Sequence, residues 1–216
     1  MATTGRKRGA GRRRPAARRL GPSLAAGAVA SAGGALVAAG FLASRGRLHL
    51  DVGWGRSFHA LGPISVLVDA PRELVFDQIA SPYLGRTPAS LRGKLDVLDR
   101  GTDMAVAAHR TRLPWMDAVT VEALHFDPPA GVTFRLLRGP VPHVVEEFAL
   151  EEQEAGTLLL YRGELGADLW LLGRIYGGSV VRPVWERTVA ASLGQIKTGA
   201  EQRAAARRRR GAGDAG

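Results

Sequence analysis

The spacing of hydrophobic positions changes several times along the chain. From Leu20 to Ser44 they run for 25 residues without a charge, in an Ala- and Gly-rich stretch (LAAGAVASAGGALVAAGFLA). A Gly-containing connector, 45–61, interrupts the pattern. Ile64–Ala70 (ISVLVDA) is then rich in β-branched residues, which predicts a strand. In PRELVFDQIAS the spacing becomes helical. Leu74, Val75 and Ile79 share a face that Phe76 and Ala80 widen, with Asp69 and Pro71 suited to the start. Ser81-Pro82 predicts the end of that helix, and Tyr83–Ser90 a short second helix or a turn.

From Leu91 to Asp168 strands alternate with turn-forming sets. The predicted strands are Leu91–Asp99, Met104–Leu113, Ala118–Phe126, Val132–Arg138, His143–Glu151 and Thr157–Leu165. Runs such as Asp127-Pro128-Pro129-Ala130-Gly131 and Gly139-Pro140-Val141-Pro142 separate them. The gaps are too short for crossover helices, so the sheet is expected to be an antiparallel meander. Beyond it, Val184, Trp185, Val189, Leu193, Ile196 and Ala200 recur near helical spacing. This long C-terminal helix, starting at about Asp168 or Arg182, needs a surface for its stripe, and the sheet is the available one. The class is α+β.

Charge changes the picture only at the ends. The 216 residues carry a formal charge of +10. Residues 1–19 hold eight basic groups and no acid, and the C-terminal stretch ends in Arg207–Arg210. The body between them is mildly acidic and lacks a basic stripe with interleaved aromatics, so no specific nucleic-acid partner is expected. Next to an uncharged run of bilayer length, the basic tail reads as a topology signal. Residues 20–44 are therefore expected to form a single-pass anchor in the cell membrane, with a cytoplasmic N-terminus. The alternative is an export signal that is cleaved. The division expected is a basic disordered tail over 1–19, the membrane segment, the connector, one domain over 62–205, and a second basic disordered tail over 206–216.

The chain contains no cysteine, which excludes disulfide frameworks and thiol chemistry. Its five histidines lack metal-ligand spacing, and Gly177-Gly178 lacks a phosphate-loop context, so neither metal nor cofactor is expected.

Three segments carry a family resemblance: APRELVFDQIASP (Ala70–Pro82), FALEEQEAGTLLLYRGELG (Phe148–Gly166) and WERTVAASLGQIKTGAEQR (Trp185–Arg203). In that order they resemble the START-like, or SRPBCC, superfamily of polyketide cyclases and lipid-transport proteins, with its Bet v 1-like helix-grip fold. The resemblance implies a curved antiparallel sheet wrapped around the long C-terminal helix. It also implies a hydrophobic cavity between them that takes an apolar small molecule or a lipid. Some members catalyse cyclisation or dehydration there. A transmembrane-like helix in front is not part of the shared pattern.

Strand alternation selects candidate residues inside such a cavity. Glu146 shares a face with Val144, Phe148 and Leu150, and Glu122 shares one with Thr120, Leu124 and Phe126. Facing inward, Glu122 and Glu146 would be buried carboxylates with raised pKa values, and His109, His143 or Arg138 could pair with them. A bulge that reverses parity, or an edge ion pair, is the competing explanation. The catalytic candidates are thus Glu122, Glu146 and His109. The ligand-binding candidates are Phe148, Trp185, Trp170 and Tyr176, the last three in a region that helps gate the pocket in the family. The two functional expectations are a membrane-anchored domain that binds a hydrophobic molecule, and a cyclase or dehydratase that uses a cavity carboxylate.

Overall fold

A computed structural model describes residues 38–113 and 116–213. Seven strands form one antiparallel sheet: β1 (Ser57–Val68), β2 (Leu95–Arg100), β3 (Met104–Arg112), β4 (Asp117–Asp127), β5 (Gly131–Arg138), β6 (His143–Gln153) and β7 (Gly156–Ala167). Their order is β1-β7-β6-β5-β4-β3-β2, a meander from β2 to β7 with the first strand returning to pair with the last. Helix α1 (Arg72–Leu84) connects β1 to β2. After β7 come a short α2 (Trp170–Ile175), a π-helical segment (Tyr176–Val181) and the long α3 (Arg182–Gly213).

The sheet curves because its register breaks. In β1 the pairing to β7 shifts between Leu61 and Ile64, and in β4 the pairing to β5 shifts between Val121 and Glu122. The concave side receives α3, whose Val189, Leu193, Ala200 and Ala204 are buried with Leu61, Leu124, Leu159, Tyr161 and Leu165. Burying one such leucine contributes about 1.5–3 kcal/mol. Helix α3 is also pinned by hydrogen bonds to β1. Glu186 Oε1 accepts from the Gly62 N–H at the β1 register break, and Lys197 Nζ donates to the Leu67 carbonyl.

The four largest departures from the sequence pattern have physical reasons. First, β1 starts at Ser57, inside the expected connector, because β7 extends to Ala167 and offers Ser57 a partner. Second, α1 passes through Pro82 to Leu84; Pro82 is buried, and Tyr83 and Leu84 pack on the core, which outweighs the missing N–H. Third, β2 begins at Leu95 rather than Leu91, since Ala89–Leu91 is a 3-10 turn. Fourth, α3 continues through 206–213, where the composition suggests a disordered tail. Ala204 is buried, and the following Ala and Arg residues are strong helix formers.

The expected membrane segment, 20–44, lies outside the described residues except for 38–44, which are helical. There Ala43 is buried and the Ser44 hydroxyl contacts Met116 Sδ at 3.9 Å. Among the described residues no helix is long and apolar enough to cross a membrane. The basic tail over 1–19 also lies outside them.

Candidate functional site

Both carboxylates singled out by strand parity lie on the concave side. Glu122 is 6% exposed and Glu146 is 7% exposed. In β6 the alternation is regular, with Val144, Glu146, Phe148 and Leu150 all buried. In β4 it is not: Val121 and Glu122 are both buried, because the register shift between them turns both inward.

Each glutamate collects a different set of partners. His109 sits on β3 opposite Thr120, diagonal to Glu122 on the same face. Its Nδ1 lies 3.1 Å from Glu122 Oε2, while its Nε2 lies 3.0 Å from the Tyr83 hydroxyl. The Nδ1 contact is not an aligned hydrogen bond, so charge attraction is its main content. Glu146 accepts two hydrogen bonds on one oxygen. The Tyr161 hydroxyl and the Trp185 indole N–H each donate to Oε1 at 2.6 Å. Gly163 pairs with Glu146 across β6 and β7. A Cβ there would stand 2.6 Å from the Val145 carbonyl oxygen and 3.2 Å from Glu146 Cγ, so the close approach needs glycine.

These surroundings push the two carboxyls apart. Burial raises the Glu146 pKa first and the nearby Glu122 charge raises it further; the Tyr161 and Trp185 donors pull the other way, and the result is about 7. Burial opposes the charged form of Glu122 as well. There the His109 charge and contact win, with Thr120 assisting, and the pKa falls below the ordinary carboxylate value. For His109, burial works against the imidazolium, but the Glu122 charge outweighs it and the pKa rises. The Tyr83 and Tyr161 hydroxyls are both held protonated well above their ordinary range by burial and by the carboxylates. At neutral pH the site is an ion pair, a half-protonated acid and two phenol donors in an apolar wall. Two titrating groups with separated pKa values are the arrangement acid/base chemistry uses.

Aromatic packing extends that wall. Phe148 lies 5.2 Å from Phe134 and 5.6 Å from Tyr161, centroid to centroid. Tyr83 lies 6.0 Å from Phe126 and 6.4 Å from Phe134.

Of the sequence candidates, Glu122, His109, Glu146, Phe148 and Trp185 come together. Trp170 and Tyr176 do not, since they are exposed on α2 and the π-helical segment, and Trp170 packs against Trp54. His143 pairs with Glu164 rather than with either buried carboxylate, and Arg138 at the end of β5 is exposed. Tyr83 and Tyr161 escaped sequence reasoning. Strand parity in β7 carried the signal for Tyr161, which alternates with Leu159. Nothing local marked Tyr83, which reaches the site only because α1 runs past Pro82. Among the described residues no cluster has the makings of a metal site.

Two open depressions mark the outer surface. One, about 440 Å³, is lined by Asp69–Glu73 and Glu152–Gly156. The other, about 300 Å³, lies over Val145–Glu147 and Arg162–Glu164.

This architecture is a helix-grip fold, a curved antiparallel sheet with a long C-terminal helix. The chain is similar in structure to the di-domain aromatase/cyclase StfQ of the steffimycin biosynthetic pathway, with a TM-score of 0.54 and 14% identity over 69% of this chain and 52% of that one. It is similar to the Zhui aromatase/cyclase of a Streptomyces species, with a TM-score of 0.52 and 17% identity over 68% of this chain and 95% of that one. For norcoclaurine synthase from Thalictrum flavum the TM-score is 0.53 and the identity 11%, over 70% of this chain and 91% of that one. The chain aligns with about half the length of the di-domain proteins it matches. No protein-family model matches the chain, and no curated protein matches it in sequence.

Proposed function

We propose that the domain binds a hydrophobic, carbonyl-bearing small molecule on the concave face and moves a proton there. The observation that carries this reading is Glu146, a buried carboxyl with a pKa of about 7, beside a buried His109–Glu122 pair. A purely structural core has little use for three titratable groups, because desolvating them costs stability that apolar side chains would not. The fold likeness to aromatase/cyclases supports the substrate class.

In this reading both donors hold Glu146 Oε1, which leaves Oε2 for a substrate hydrogen. The carboxylate takes a proton from the carbon beside a carbonyl, and the C–H electron pair moves onto that carbonyl oxygen as an enolate. The enolate carbon then bonds to a second carbonyl carbon, whose oxygen takes the proton back from Glu146. Tyr83 offers a hydroxyl donor to the developing oxyanion. Access requires the first turn of α3, whose Trp185 holds Glu146, to move. Anchoring through 20–44 in the cell membrane belongs to the same proposal and rests on the uncharged run and its basic flank.

Native mass spectrometry of the purified chain and conversion of a linear poly-β-ketone thioester test this. A co-purified apolar ligand, and turnover that E146Q loses while still binding, are expected. A chain that neither retains a ligand nor converts the thioester would overturn the proposal. Binding with no turnover would leave the domain a carrier.

A further inference from the structure

Helix α2 and the π-helical segment are built inside out. Their buried positions are Gly173, Gly177 and Val181, while Trp170, Leu171, Leu172, Ile175, Tyr176 and Val180 face outward. Leu172 is 71% exposed and Trp170 58%. An ordinary surface helix puts its large apolar side chains against the core. Here glycines make that contact, with Gly177 and Gly178 against His59 and Leu165. From Leu169 to Val180 the only charge is Arg174.

The turn that presents this face is held deliberately. Leu169 and Trp170 both have positive φ, at 75° and 46°, a conformation that costs bulky residues stability and persists only where neighbours enforce it. The connector enforces it. The Leu169 and Trp170 N–H groups donate to the carbonyls of Trp54 and Gly55, and the rings of Trp54 and Trp170 lie 4.3 Å apart. Asp168 Oδ2 accepts from the Val52 and Gly53 N–H groups, while its Oδ1 accepts from Arg56. Val52 and Trp54 add exposed apolar surface beside Trp170.

The charges within this face, and next to the connector in sequence, suit one partner. Asp51 and Asp168 are both paired with Arg56. Among the described ion pairs, none involves Arg45, Arg47 or Arg174. The connector that packs on Trp170 leads directly back to the uncharged run ending at Ser44. Aromatic side chains with leucines and flanking arginines are the composition of a bilayer interface. We infer that the outward face of α2 and the π-helical segment, with Val52 and Trp54, docks onto a lipid bilayer that carries anionic headgroups. The inference rests on the reading of 20–44 as an anchor, which would put the chain at a membrane.

Because the chain has no cysteine, Leu172→Cys creates a single thiol for a polarity-sensitive fluorophore. Arg135→Cys, exposed on β5, serves as the control. The full chain is mixed with vesicles of phosphatidylcholine and phosphatidylglycerol, and flotation is recorded alongside emission. The label at 172 is expected to shift to the blue and lose quenching by iodide on vesicles, and the label at 135 to do neither. Flotation with the 172 label still open to iodide would overturn the docking and leave the anchor standing. Failure to float would overturn both. Protection at 172 without vesicles, growing with protein concentration, would assign the face to a second copy of the chain and overturn the membrane assignment.

Discussion

The Trp185 indole N–H donates to Glu146 Oε1 at 2.6 Å, joining the first turn of the C-terminal helix to the middle of β6. Tyr161 donates to the same oxygen from β7. Helix and sheet therefore meet through a carboxyl as well as through apolar packing. A movement of the helix start must disturb the group on which the proposed chemistry depends.

Glu146 makes stability fall as the pH rises. In the unfolded chain its carboxyl ionises near 4.5, while in the folded domain it keeps its proton up to about 7. Between those values the folded state binds more protons, so the contribution declines across that window, by up to about 3 kcal/mol. E146Q is expected to remove the decline, so that urea denaturation above the window finds the variant more stable than the wild type. An unchanged pH profile in E146Q would assign the titration to another group.

His109 has the opposite role, because it keeps Glu122 charged. Without it, Glu122 becomes a buried carboxylate with no cation. H109F is expected to lose about 3–5 kcal/mol at neutral pH. It should recover in acid, where Glu122 takes a proton. H109F/E122Q should regain much of the loss at neutral pH, and the double-mutant cycle measures the coupling. Additive effects of the two changes would mean that the pair does not interact.

Two glycine-to-alanine changes should have opposite signs. At Gly163 the new methyl meets the Val145 carbonyl oxygen at 2.6 Å, which backbone cannot yield cheaply. G163A is expected to cost about 2 kcal/mol and to displace Glu146, lowering its pKa. Gly194, exposed in α3, has nothing within 4 Å of such a methyl. G194A should stabilise the domain by up to about 1 kcal/mol, through helix propensity alone. Thermal denaturation of both variants reads the difference.

Asp168 ties the connector to the turn before α2. Its pKa is held low, first by the Arg56 hydrogen bond; burial opposes this, and the Gly53 and Val52 N–H groups add to the lowering. D168N is expected to speed hydrogen exchange at the Val52 and Gly53 amides and to separate Trp54 from Trp170, visible as a change in tryptophan fluorescence. Global stability should fall by about 1–3 kcal/mol. Unaltered exchange at both amides would mean that the turn holds its shape without the carboxylate.

Strand spacing and the apolar stripe of the last helix were enough to determine an α+β domain with an antiparallel meander and a packed C-terminal helix. Because a pleated strand has a period of two, alternation alone put Glu146 on the face of Val144, Phe148 and Leu150, which the fold turns inward. It put Glu122 there for an incomplete reason: a bulge turns Val121 inward as well, and bulges depend on the partner strand. Tertiary structure alone decided which histidine meets which carboxylate. His109 and Glu122 become diagonal neighbours only through the β3–β4 register, and Tyr83 joins them only because core packing carries α1 beyond Pro82. The same holds for Trp170 and Tyr176, whose apolar character predicts burial in any periodicity argument. Their exposure follows from glycines that take the inner face of that helix and from a strained turn held by Asp168. Which side of a short apolar helix faces the protein is set by the surface waiting for it, and no local pattern carries that information.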